Sequence, residues 1–191
     1  MEEETILFGI PVPSTNKLFL AIVVVHIALG LICVMSGLVS MLSKKGSHRH
    51  TLAGKIYFWC MSFSFTTVLI LSFMRWPLNV HLLMVGTLAF AFTYVGRRLA
   101  QAHVKKDWTR LHTICMGLSY ILLLTGFYVD NGKNLPFWKQ FPQLFFWIFP
   151  SIVGIPIIIL ALTKHPLNKQ KAGQNEPKPK KSSSTSFLAN K

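Results

Sequence analysis

Acidic side chains are scarce in this chain: six Asp and Glu stand against twenty Lys and Arg in 191 residues. Five runs lack charge of either sign, with no Asp, Glu, Lys or Arg in Leu18 to Ser43, Ile56 to Met74, Trp76 to Gly96, Leu111 to Val129 and Gln140 to Thr163. A transporter coupled to protons or sodium usually relies on an embedded carboxylate, since ionisable groups at depth mark ion pathways, and none is available here. Two-carboxylate hydrolysis and a Ser/His/Asp triad within these runs are likewise unsupported. Walker-type glycine loops are absent. Cysteine is rare too: Cys33, Cys60 and Cys115 lie inside apolar runs without a C-x-x-C spacing, so neither a disulfide framework nor a zinc site is indicated, and buried inert thiols are expected. The N-terminus lacks a positive signal-peptide n-region, carrying Glu2, Glu3 and Glu4 instead, and no A-x-A-like cleavage site follows. The first run is therefore expected to be a retained anchor. Pro11 and Pro13 favour an extended, external lead-in over 1–16.

What is present is apolar. The composition is 51% hydrophobic and 14% charged, with a positive mean hydropathy of +0.45. Each charge-free run has at least 19 residues, and about 20 residues at ~1.5 Å rise cross a ~30 Å hydrocarbon core. The expected fold class is an all-α bundle of five transmembrane helices, at about 18–43, 52–74, 77–98, 109–129 and 143–163, within a membrane domain spanning 17–164. The net charge of +14 is positional: 16 Lys and Arg fall in alternate loops and the tail, and only Lys17, Arg75, Lys133 and Lys139 fall on the opposite side. Because positive residues stay in the cytoplasm during insertion, the N-terminus is expected outside and the C-terminus in the cytoplasm, in the plasma (inner) membrane. This placement argues for lipid rather than nucleic acid as the partner of the basic loops. The segment 165–191 is rich in Lys, Pro, Ser and Asn and is expected to be a disordered basic tail against anionic lipid headgroups.

Three helices carry faces that begin with histidine and step by four, three, four and three. They are His26, Gly30, Cys33, Gly37, Ser40; His50, Gly54, Tyr57, Met61, Ser64; and His112, Met116, Ser119, Leu123, Gly126. Such steps place residues on one side of a helix, and small residues there let helices approach closely in lipid. The fifth run contains Pro150 and Pro156 and no ionisable group, so it is expected to bend and to lie at the periphery.

Histidine is the chemistry on offer. His26 and His81 are expected in the outer half, His50 and His112 near the inner surface, and His48 and His103 in flanking loops. Pairs of histidines on different helices are how b-type haem is held, so these four are candidate cofactor ligands. The outer pair is offset by roughly 7 Å in depth at ~1.5 Å per residue, which is awkward for one iron. His48-x-His50 with His112 and Asp107 could instead hold a divalent metal. Arg49 and Arg110 beside the inner pair favour an anionic ligand, such as a lipid phosphate or a quinone-like headgroup, over a bare cation. Haem, with its anionic propionates, passes that charge argument. Two functions follow: a non-catalytic membrane protein whose histidines organise packing and lipid or partner contacts, or a redox or haem/metal-cofactor protein, quinone-linked in one form.

Three motifs carry a resemblance: His26-x-x-x-Gly30, His50-x-x-x-Gly54-x-x-Tyr57, and Trp108 with His112, Met116, Ser119 and Tyr120. Together they resemble an uncharacterised family of predicted bacterial multi-pass membrane proteins, a domain of unknown function, over roughly Lys17 to Tyr128. That family often has Trp before the methionine of the third motif, where Cys115 stands here. The resemblance implies a fold, and implies that His26, His50 and His112 belong together; it implies no reaction.

Overall fold

Backbone amides in lipid must find partners within their own segment, which leaves long helices as the natural form of charge-free runs. A computed structural model describes residues 5–7, 10–12, 16–102 and 107–163 and contains five such helices. They are α1 (Lys17–Leu42), α2 (His48–Met74), α3 (Val80–Ala102), α4 (Trp108–Asn131) and α5 (Gln143–Thr163). All five are long and apolar enough to cross a membrane, so the chain has the build of a multi-pass membrane protein. Ahead of α1, strands β1 (Thr5–Leu7) and β2 (Ile10–Val12) pair antiparallel, with Ile6 opposite Pro11. His103, Lys105, Lys106 and the basic tail 165–191 lie outside the described residues.

Caps set where the helices begin. The Asn16 side chain accepts from the amides of Leu18 and Phe19 at 2.9 and 3.3 Å and starts α1. Ser47 accepts from the His50 amide at 3.3 Å, so α2 begins at His48 rather than near 52, and His50 sits in its first turn. Gly46, at φ 77°, supplies the left-handed residue that turns the chain between α1 and α2. Pro77, whose peptide bond to Trp76 is cis, lies in the turn before α3, and α3 runs from Val80 rather than from 77. Helix α5 runs through Pro150 and Pro156 without interruption.

The helices form a ring of neighbours. α1 packs along α2, α3 along α4, α2 against α3, and α1 touches α4 more lightly; α5 packs on α4 from outside. α2 and α4 therefore face each other across the four-helix body. At its centre Cys33, Tyr57, Met61 and Ala89 are buried, with Phe90, Met116 and Tyr120 packed around them. Gly37 admits this core: a Cβ there would lie 2.6 Å from the Tyr120 ring and 3.2 Å from the Tyr57 ring. Gly30, two steps earlier on the same expected face, has nothing within 4 Å of an added Cβ. The close approach of α1 is thus made at Cys33, Ser36 and Gly37, the residues it buries in its second half.

Candidate functional site

Because Ser47 caps α2 one turn ahead of the expected start, His50 is carried back against the end of α1. Its Nδ1 lies 2.9 Å from the Ser40 carbonyl oxygen and 3.1 Å from the Ser40 hydroxyl. His112, in the second turn of α4, is placed in the same way: its Nδ1 lies 2.8 Å from the Gly96 carbonyl oxygen of α3. A carbonyl oxygen only accepts, so in both rings Nδ1 carries the proton and donates. The neutral imidazole then presents Nε2 as a lone pair. The two rings stand 6.4 Å apart, centre to centre, at 81°.

This pair heads a matched ladder across the bundle. Seven residues beyond each histidine come Tyr57 and Ser119, whose hydroxyls hydrogen-bond at 3.0 Å. Seven residues are two helical turns, about 10 Å. Between the two levels lie Gly54 and Met116. Met116 leans onto α3 at Gly96, where a Cβ would be only 2.9 Å from its sulfur. Tyr120, the last residue of the third motif, donates to the Val34 carbonyl at 3.1 Å and so ties α4 to α1. Two of the three sequence motifs therefore converge on the α2–α4 diagonal.

The charge around the pair is positive. The Lys45 ammonium donates to the Met41 carbonyl at 3.1 Å at the end of α1 and lies close enough to His112 for its charge to act on the ring. Burial pushes Lys45 below its ordinary value. Arg49, one residue before His50, faces a different surface, a groove between α1 and α2. Arg110 is exposed in the first turn of α4. Among the described residues no group of three or more His, Cys, Asp or Glu is placed to hold a metal ion, so the set His48, His50, His112 and Asp107 does not assemble.

The other two candidates are dispersed. His26 Nδ1 lies 2.8 Å from the Thr67 hydroxyl and 3.4 Å from that of Ser64, both on α2. Ser64 is fourteen residues beyond His50 on that helix, or roughly 21 Å along the axis. His81, near the start of α3, has its ring 6.3 Å from that of Trp147 on α5. Sequence reasoning missed the Ser40 and Gly96 carbonyls and the Lys45 charge. The seven-residue register from His50 to Tyr57 and from His112 to Ser119 was the signal that pairs the two helices. No protein-family model, curated protein or solved structure matches the chain.

Proposed function

We propose that the chain is a plasma-membrane electron-transfer protein that holds a b-type haem between His50 and His112. The observation that carries this reading is the pair of imidazoles on facing helices, each with Nδ1–H tied to a backbone carbonyl. Ligating histidines nearly always donate their other ring N–H in this way, which fixes ring orientation and raises the basicity of Nε2. His50 and His112, on facing helices with ring centres 6.4 Å apart, would hold such a haem between them. Lys45 suits the anionic propionates and opposes a bare divalent ion. In this role His50 and His112 would hold the haem, the Ser40 and Gly96 carbonyls would orient their rings, and the bound group would supply one-electron chemistry. The convergence of the second and third motifs supports grouping His50 with His112, whereas His26, which the resemblance groups with them, lies against Thr67 and Ser64 instead.

The orientation proposed is N-terminus outside and C-terminus in the cytoplasm, on the 16-to-4 division of Lys and Arg. A cysteine placed at Asn134 should then react with an impermeant label on intact cells and one at Ser183 should not; the reverse pattern rejects it.

A second reading has its own support. The same two Nδ1 bonds tie the end of α1 to α2 and the end of α3 to α4, which is a complete packing role for a non-catalytic bundle. An absorption spectrum with metal analysis of protein purified in detergent from a haem-replete host separates the two. A porphyrin band in wild type that disappears in His112→Ala is expected. No porphyrin in wild type leaves the packing reading. Stoichiometric zinc or iron without porphyrin overturns the haem reading and shows a site that takes a bare cation.

A further inference from the structure

Between α1 and α2, on the surface away from the histidine pair, runs an open groove of about 460 Å³. Its walls are large exposed apolar side chains, Leu31, Met35 and Val39 from α1 with Leu52 and Ile56 from α2. Its floor includes Ala53 and Ser36, and both are buried. The Ser36 hydroxyl is turned back into its own helix, donating to the Ile32 carbonyl at 2.6 Å, so the floor offers a ligand no polar group. From Leu31 to Val39 the groove follows about 12 Å of helix, less than half of a ~30 Å hydrocarbon core. At one end stands a cation, the guanidinium of Arg49 in the first turn of α2.

We infer that this groove binds one anionic phospholipid, with the upper part of an acyl chain in the trough and the phosphate on Arg49. An apolar channel ending in a guanidinium complements a molecule that is apolar along its length and anionic at its head. Arginine is suited to this by its two parallel N–H donors, which match phosphate oxygens. Lys44 belongs to the turn just before Arg49 and reinforces the sign of the field, as does the positive end of the α2 dipole. The lining of the groove carries no acidic residue, so a second copy of this surface offers the guanidinium no carboxylate there to pair with. A free phosphate ion gains nothing from the apolar trough. The inference is independent of what His50 and His112 hold.

The test is lipid binding to the delipidated full-length protein in detergent, read by native mass spectrometry during titration with phosphatidylglycerol or phosphatidylcholine. Phosphatidylglycerol should bind at one preferred site. Arg49→Gln should weaken it about tenfold, the loss of a charge-assisted hydrogen bond. Ile56→Trp, which fills the trough without touching charge, should weaken it as well. Arg98→Gln, an exposed cation on α3, should leave it unchanged, and millimolar inorganic phosphate should not compete. Equal retention of the two lipids by wild type, or phosphatidylglycerol binding unaltered in both Arg49→Gln and Ile56→Trp, overturns the site. Displacement by inorganic phosphate alone shows an anion site without a lipid.

Discussion

At one end of the bundle His50 and His112 meet ring to ring, 6.4 Å apart, each bonded to a backbone carbonyl. At the other end His26 bonds to two hydroxyls of α2 while His81 lies beside Trp147 of α5. Both ends contribute two histidines, yet the partners differ in kind. A carbonyl can only accept and so selects one tautomer, leaving Nε2 as a lone pair of defined direction. The nearer hydroxyl at the outer end, that of Thr67, already donates to the Ser64 carbonyl at 2.6 Å and so accepts from His26, which fixes the same tautomer there. What sets the inner pair apart is a second imidazole facing the first, which neither His26 nor His81 has among its ring contacts. The same contrast runs along α1, where Gly37 lies under two tyrosine rings and Gly30 has open space.

The sharpest way to break this comparison is to exchange the ends. His50→Ala, like His112→Ala, should abolish the proposed porphyrin absorbance, while His26→Ala and His81→Ala should retain most of it. Loss in all four variants alike would erase the distinction. Next in size is Gly37→Leu, which must displace the Tyr120 ring and should cost about 1–3 kcal/mol of stability, as overpacked sites do. Gly30→Leu should stay within about 0.5 kcal/mol of wild type, as changes away from packed features do. Thermal unfolding in detergent measures both, and equal shifts would show that α1 packs evenly along its length.

A smaller effect is expected at the rung below the histidine pair. Tyr57→Phe removes the hydroxyl bonded to Ser119 and should destabilise by about 0.5–1.5 kcal/mol, a typical net hydrogen bond. Smallest of all should be Thr67→Val, which removes a polar partner of His26; interhelical hydrogen bonds in membranes average about 0.6 kcal/mol. A larger loss for Thr67→Val than for Tyr57→Phe, in the same unfolding assay, would reverse the ranking of the two ends.

The five spans were legible because desolvating a charge in lipid is costly, so helices appear as charge-free runs wherever they occur. The histidine-led faces were legible in part: Tyr57, Met61 and Ser64 are buried as their spacing predicts, as are Cys33 and Gly37. Gly30 lies on the same stripe, but a side chain there would meet nothing within 4 Å, a matter of helix crossing that periodicity does not encode. The start of α2 was placed late because Lys55 and Arg49 read as a loop, although Ser47 is a capping residue and long basic stems tolerate a helix end at an interface. The carbonyls of Ser40 and Gly96 were illegible in principle. Every residue carries one, and only the fold decides which of them a histidine meets.

The diagonal placement of the pair also sets an order of events during synthesis. α1 and α2 form one hairpin, α3 and α4 another, and the bond between Tyr57 and Ser119 joins residues 62 positions apart. At about 5–20 residues per second, several seconds of translation separate the two halves. His50 enters the membrane with its carbonyl partner already beside it, and His112 arrives with its own. Each half-site is thus oriented within its hairpin before the other exists, and any ligand shared between them can be clamped only when the second hairpin docks. Docking of the second hairpin is what completes the pair, and a chain that ends before α4 would carry one oriented imidazole with no second ring opposite it.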